Sequence, residues 1–156
     1  MTQYMSKGAI PLSLSMALLF TCAPGYTETD TESVTPNEPI VVPTQLNGNT
    51  ATAQQSQFNA YGCAPNTNES GPEELHTVPL PGPGLLRVRL DASDAKDVDV
   101  HILASAEPEQ CLSRGDTAAA AFLSGTQAVI AVDTYNGRHN AGPYTLTLEF
   151  TPSASL

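Results

Sequence analysis

The chain has 156 residues and a net charge of −10 at pH 7, with 16 acidic residues, six Lys or Arg and no Trp. This charge argues against electrostatic binding of nucleic acid or of anionic lipid headgroups. The length suits one small domain with short appended segments.

Residues 1–22 have the pattern of a signal peptide. Lys7 precedes an apolar run, 8–20, that is shorter than the about 20 apolar residues of a membrane-spanning helix. Cys22 then stands where the lipobox of bacterial lipoproteins carries its lipid-modified cysteine, although Phe20-Thr21 departs from the small residues usual there. We therefore expect either a lipid on Cys22 and an outer-membrane lipoprotein, or cleavage by a general signal peptidase and secretion.

Residues 23–57 are predicted to be a disordered linker. Three prolines punctuate 36–43, and the stretch 27–32 alternates threonine with an acidic residue. The segment contains no cation, and its acidic residues are Glu28, Asp30, Glu32 and Glu38. Such a composition buries too little apolar surface to offset the entropy of the chain. We expect a flexible spacer that holds a domain away from a membrane.

Beyond residue 57 the apolar side chains recur at every second position, which is typical of strands with one buried and one wet face. The wet faces would then carry the polar side chains, for example Arg87 and Arg89 on one strand and Asp97, Asp99 and His101 on another. The segments with strand patterns are 75–80, 86–90, 97–103, 118–123, 127–133 and 144–150. The alanines of 118–123 would also suit a helical turn.

Turn residues separate these segments. Proline and glycine crowd 79–84, Gly125 lies in a short connection, and Asn136-Gly137 opens the last loop. Short strands without intervening helices favour an all-β fold, an antiparallel jelly-roll-like sandwich. We place this domain at 58–151 and a short tail at 152–156.

Two cysteines, Cys63 and Cys111, lie inside the predicted domain. In an exported protein we expect them to form a disulfide, which would stabilise a small domain by about 3 to 4 kcal/mol by restricting the unfolded chain. Two free buried thiols are the alternative. A zinc site is disfavoured because the cysteines do not form a C-x-x-C pair.

Several of these segments resemble the bacterial pre-peptidase C-terminal domain, which has an acidic-apolar strand, a glycine turn, a V-D strand and a final G-x-Y-x-L strand. The opening after Cys63 is similar to that of exported relatives of myxobacterial type, which also carry a second cysteine near the position of Cys111. The matching segments are 97–103, 124–126, 129–134 and 141–148. The resemblance implies a secreted, non-catalytic β-sandwich that usually accompanies a peptidase, and calcium binding in some members.

Calcium is the metal that the acidic residues would suit, because it takes six to eight oxygen ligands from a flexible loop. The candidate ligands are Asp91, Asp94, Asp97, Asp99 and Asp133, with Asn136 beside them. The alternative is a solvated acidic surface that keeps strand edges from pairing.

The sequence contains no pattern typical of a catalytic site. His76, His101 and His139 lie in different elements, and neither an H-E-x-x-H nor a G-x-S-x-G motif occurs. The tripeptide 114–116, Arg-Gly-Asp, reads more simply as a turn than as an adhesion motif. Tyr135 lies beside a polar loop and would mark either a ligand site or the rim of the core.

The sequence thus predicts an exported, lipid-anchored, non-catalytic recognition module of the cell envelope, with an envelope protein or polysaccharide as its partner. A structural envelope component without a ligand and an auxiliary part of a secreted peptidase system are the alternatives. A hydrolase with a hidden site is a third, disfavoured by the absence of tryptophan for an aromatic-lined cleft.

Overall fold

The structure of the chain is a computed structural model that describes residues 45–54 and 56–155, and this part is all-β. Its eight strands pair in antiparallel fashion throughout. They are β1 (Gln45–Asn49), β2 (Glu74–Pro79), β3 (Gly84–Ala92), β4 (Val98–Leu103), β5 (Cys111–Gly115), β6 (Ala118–Leu123), β7 (Gln127–Thr134) and β8 (Pro143–Pro152). Short 3-10 helices lie at Thr50–Thr52, Pro108–Gln110, Arg138–Asn140 and Ser153–Ser155.

The strands form two sheets of four. Sheet 1 has the order β1-β8-β3-β6, and sheet 2 has the order β2-β7-β4-β5. Eight antiparallel strands in two packed sheets with crossovers of this kind make a jelly roll. The predicted all-β sandwich is confirmed, and 118–123, which also suited a helical turn, is the strand β6.

The main core lies between the sheets and is built from alternate residues of the long central strands. Leu86 of β3 stands opposite Phe150 of β8 and Ala121 of β6, so that one apolar side chain from each strand meets in a row. Val100 and Ile102 of β4 face them from sheet 2, fully buried. The period of two in the sequence therefore identifies the inward faces correctly.

A second, smaller core lies on the outer face of sheet 2. We call residues 56–73 the strap, because they run across this face and cover it. Tyr61 of the strap packs with Leu103 of β4 and with Val129 and Ala131 of β7, and all four are buried. Backbone hydrogen bonds fix the strap, including one of 3.0 Å from Gly71 N to Thr134 O.

The prediction that β4 and β7 each have one wet face is wrong. Every residue of β4 is buried, and β7 is buried from Ala128 to Thr134. Asp99, His101 and Asp133 lie beneath the strap, with at most 1% of their surface exposed. Alternation of polar and apolar residues marks two different faces, but the polar face here meets a polar covering segment instead of water.

The sandwich also begins earlier than the sequence predicted. β1 lies inside the segment assigned to the linker 23–57, yet all five of its residues pair with β8. Leu46 is its one large apolar side chain and packs against the main core. Gly48 is required because a Cβ there would collide with the ring of Tyr144 and the carboxylate of Glu74. The predicted segments 1–22 and 23–44 lie outside the described residues.

β8 and a 3-10 helix continue into the predicted tail, 152–156, as far as residue 155. In the part of the chain that the structure describes, no helix has the length and apolar character needed to cross a membrane.

A disulfide joins Cys63 of the strap to Cys111 at the start of β5, as predicted. The two residues are 48 apart in sequence, so the bond closes a loop that contains β2, β3 and β4. It holds the strap against the edge of sheet 2 that it covers.

Replacing both cysteines, in Cys63→Ser with Cys111→Ser, should lower the free energy of unfolding by about 3 to 4 kcal/mol, because the unfolded chain regains the freedom of that loop. Urea denaturation of the oxidised protein measures this. Wild-type protein reduced with a phosphine should match the double variant, and an unchanged denaturation midpoint would contradict the predicted contribution.

Candidate functional site

The outer face of sheet 1 is accessible and concave. It carries the outward side chains of β3, β6 and β8, and a cavity of about 690 Å³ opens above it. The residues that line this cavity are Arg87, Val88, Arg89, Ser113, Ala118, Ala119, Ala120, Thr147 and Glu149. We call this surface the arginine face.

The strand register explains the shape of the arginine face. Arg87 stands between Ala120 of β6 and Glu149 of β8, while Arg89 stands between Ala118 and Thr147. Alanine has no side chain beyond Cβ, so β6 leaves the space beside the arginines open. The two guanidinium groups can therefore reach outward across β6.

The two arginines have few partners that could neutralise their charge. Arg89 is 3.2 Å from Asp91, but both side chains are more than half exposed, and such pairs contribute little to stability. Arg87 forms no ion pair within the described residues and has one long contact of 3.5 Å, from Nη1 to Thr151 Oγ1.

The other described cations already have partners. Arg114 is held by Asp99 at 2.6 Å, Arg138 donates to the carbonyl oxygens of Ala51 and Ala53, and Lys96 donates to that of His139. The arginine face is therefore where the described chain places two exposed guanidinium groups on neighbouring alternate positions of one strand, with most of their N–H donors unbonded.

One side of the sandwich is open beside this face. β6 is the last strand of sheet 1 on that side, beside β5 of sheet 2, and we call the unpaired side of β6 the open edge. Two exposed apolar side chains, Phe122 at 54% and Leu112 at 47%, line a second cavity of about 250 Å³ there.

On the opposite side, polar bonds close the sandwich between β1 and β2. Glu74 Oε2 accepts hydrogen bonds from Asn49 N at 2.9 Å and from Tyr144 OH at 2.7 Å. His76 Nε2 lies 2.6 Å from the same Tyr144 hydroxyl. These bonds tie β8 and the end of β1 to β2 across the two sheets, and they engage the backbone of β1 at Asn49 N.

A cluster of ionisable groups is buried beneath the strap. Arg114 donates to Asp99 at 2.6 Å, and its Nε lies 3.5 Å from Glu69 Oε1. His101 stacks on the ring of Tyr61, with 3.7 Å between centroids, and its Nε2 lies 3.7 Å from Glu69 Oε1. Tyr61 donates to Asp133 at 2.6 Å, and the Thr134 N–H donates to the other oxygen of Asp133.

Burial sets the protonation of this cluster. It raises the pKa of Asp133 to about 8 and, together with the nearby charge of Asp99, the pKa of Glu69 to about 7. Burial and the adjacent Arg114 guanidinium lower the pKa of His101 to about 3, so the imidazole is neutral and its contact with Glu69 is not an ion pair. Burial also raises the pKa of Tyr61, which keeps the proton that it donates.

These groups resemble the contents of an active site, but the strap closes them off. Glu69, Asp99, His101 and Asp133 are each at most 1% exposed, and the Arg114 side chain is 25% exposed. A substrate could not reach a carboxylate or the imidazole without displacing the strap. In this arrangement the cluster joins the strap to sheet 2.

The predicted calcium ligands do not converge. Asp99 and Asp133 lie beneath the strap, where they accept hydrogen bonds from Arg114 and Tyr61. Asp91, Asp94 and Asp97 instead line an open cavity of about 310 Å³ around the turn between β3 and β4. Among the described residues, no three groups that include an acid bring their ligand atoms within 4.8 Å of one another. The five predicted ligands therefore do not form one shared oxygen shell of the kind that calcium takes, and calcium binding stays a prediction.

Cys63, His101 and Cys111 do approach one another within 4.8 Å, but the two sulfurs are joined in the disulfide. They are therefore not available as thiolate ligands. Cys22, the predicted lipidation site, lies outside the described residues.

The remaining candidates separate into buried and exposed groups. Arg114 of the Arg-Gly-Asp tripeptide points inward to Asp99, so it is not displayed as an adhesion motif would be. His139 is exposed, and Tyr135 is 38% exposed beside the last loop.

Sequence reasoning did not select Arg87 and Arg89. Their alternation with Leu86, Val88 and Leu90 identified the face they occupy, and the alternate alanines of β6 were a further signal. That β6 is the neighbour of β3 follows only from the fold. Nothing in the sequence pattern indicated that Tyr61 and Asp133 would pair.

No family model matches this chain, and no curated protein matches it. A solved structure with a similar fold is PliG of Aeromonas hydrophila, a periplasmic inhibitor of g-type lysozyme. The TM-score is 0.45 at 16% identity, over 70% of this chain and 87% of that one. A likeness this distant assigns neither a family nor a function, and the resemblance to the pre-peptidase C-terminal domain stays a prediction.

The buried acids predict that stability falls as pH rises from about 5 to 8. Asp133 and Glu69 hold protons in the folded chain up to about pH 8 and 7, but lose them near pH 4 when unfolded. The unfolded state therefore binds fewer protons in this window. His101 makes stability rise with pH, because its pKa is lower in the folded chain than in the unfolded one. This effect is confined to pH values below the unfolded pKa of about 6.5, where it cancels the contribution of one of the two acids.

Asp133→Asn mimics the protonated acid and should flatten this dependence by up to about 1.4 kcal/mol per pH unit, the effect of one proton. Urea denaturation at intervals from pH 5 to 8 measures it. Asp91→Asn, which removes an exposed carboxyl outside the buried cluster, serves as the matched control. Parallel curves for wild type and Asp133→Asn would show that Asp133 is ionised in the folded protein.

Proposed function

We propose that this protein is an exported, non-catalytic recognition module that binds an anionic component of the cell envelope through the arginine face. The observation that carries the proposal is a contrast between two faces. The ionisable cluster that resembles an active site is sealed beneath the strap, while the face that solvent reaches offers two weakly paired arginines. Accessible guanidinium groups suit the recognition of carboxylates or phosphates.

The disulfide supports the proposed location. Disulfides form and persist in oxidising compartments, and the one between Cys63 and Cys111 follows an N-terminal segment with the pattern of a signal peptide. We propose that Cys22 carries the lipid that anchors the mature chain to the outer membrane. The acidic residues between Cys22 and β1 would then separate the sandwich from the anchor.

Mass spectrometry of the protein from its native cells tests the anchor. The expected N-terminal peptide begins at Cys22 and is heavier by the mass of a diacylglycerol and, where the amine is acylated, a third chain. Cys22→Ser should release the protein from membranes. An intact N-terminus at Met1, or an unmodified mature N-terminus beyond Cys22, would contradict lipid anchoring.

Binding to isolated envelopes of the producing cells tests the recognition role. The oxidised chain without its lipid anchor, residues 23–156, should bind saturably, and Arg87→Gln should weaken binding about tenfold, the loss expected for one charge-assisted hydrogen-bonded pair. Lys96→Gln removes one charge outside the arginine face and serves as the matched control. Equal binding by wild type and both variants would exclude the arginine face as the ligand site.

A further inference from the structure

We propose that the partner is an extended peptide that adds to β6 as a fifth strand of sheet 1 and places acidic side chains on Arg87 and Arg89. This inference rests on the proposed function and specifies its ligand. Three observations support it: the outer backbone edge of β6 is unpaired, an added strand would lie within reach of the two arginines, and the arginines are positively charged.

β6 is an edge strand without the usual protection. It pairs with β3 alone, and within the described chain Ala119 to Leu123 make no backbone hydrogen bond to any other segment. Natural edge strands commonly carry charges, proline or a bulge that prevent further pairing. The sequence of β6, Ala-Ala-Ala-Ala-Phe-Leu, contains no charge and no proline.

The spacing of an added strand fits the reach of the arginines. Strands lie about 4.8 Å apart, so a chain beside β6 would lie about 10 Å from β3. An arginine side chain can cover much of that distance across Ala118 and Ala120, and an acidic side chain on the added strand covers the rest. Because side chains alternate, the two acids must stand two positions apart.

The same register places a third contact. Phe122 follows Ala118 and Ala120 on the outer face of β6, and it lines the smaller cavity with Leu112. A residue of the added strand opposite Phe122 would pack on these exposed apolar side chains. The preferred ligand therefore has two acids and one apolar residue at successive alternate positions.

A second copy of this chain is a poorer occupant. Its own β6 would bring alanines opposite the arginines and no carboxylate. An acidic peptide provides both the free strand backbone and the complementary charge.

Fluorescence anisotropy with labelled peptides and the oxidised chain of residues 23–156 tests the inference at about 0.15 M salt. The probes are TEVEVLT and its reverse TLVEVET, since the structure permits a parallel or an antiparallel strand. At least one should bind, and replacing both glutamates by glutamine should weaken it about tenfold or more. The rearranged peptide TEEVLVT, with its acids on opposite faces, should bind no better than the glutamine probe.

Two further comparisons separate strand addition from simple charge attraction. N-methylation of one alternate set of peptide amides should abolish binding, while methylation of the other set should spare it, because only one edge of the peptide faces β6. Arg87→Gln should weaken the peptide about tenfold, and Lys96→Gln should not. The melting temperature of each variant confirms that it is folded.

The outcomes are distinct. Strand addition would be overturned if neither methylation pattern weakened binding. It would also be overturned by a stable dimer in analytical ultracentrifugation that the peptide does not disrupt. If no acidic peptide binds but envelopes still bind in a manner that depends on Arg87, the inference fails while the proposed function stands. If neither binds, both fail.

Discussion

The covering of sheet 2 by the strap is the constraint on which the rest of this molecule depends. A sandwich of two sheets has two outer faces, and each would ordinarily meet water. Here the disulfide between Cys63 and Cys111 and the hydrogen bond between Tyr61 and Asp133 hold residues 56–73 over one of them. The outer face of sheet 1 is left exposed to solvent.

The strap also explains why the chain contains so many buried ionisable groups without an evident catalytic site. Four buried acids lie where the strap meets sheet 2, together with the guanidinium of Arg114. Glu69 and Glu73 belong to the strap, and Asp99 and Asp133 belong to the sheet. Burying unpaired charge is costly, so burial raises the pKa of acids in this setting and favours their protonated form. The cluster joins the strap to sheet 2.

Much of the fold could be predicted from the sequence, because strand faces depend on a local period of two. β3 and β8 show their buried faces plainly, and proline and glycine mark the turn before β3. β1 could not be found this way, since its place in the sheet comes from backbone pairing with β8 and from the absence of a side chain at Gly48. The wet-face prediction for β4 was wrong because a polar strand face looks the same in sequence whether water or a polar segment covers it.

The candidate site was less predictable for a similar reason. The open space beside Arg87 depends on Ala120, whose side chain is small. Ala120 lies far along the chain and stands next to Arg87 only because β3 pairs with β6. Asp99 and Asp133 were proposed as metal ligands, and the fold does place them side by side in the β4–β7 ladder. Arg114 donates a hydrogen bond to Asp99, and Tyr61 donates one to Asp133. Neither partner could be assigned without the tertiary structure.

Carboxyl labelling of the oxidised protein with a carbodiimide and an amine, followed by mass spectrometry, tests the covering of sheet 2 most directly. The structure predicts rapid modification of Asp91, Asp94 and Glu149 and strong protection of Glu69, Asp99 and Asp133. Modification of Asp99 and Asp133 at the same rate as Asp91 would show that the strap does not seal this face, and would contradict the account.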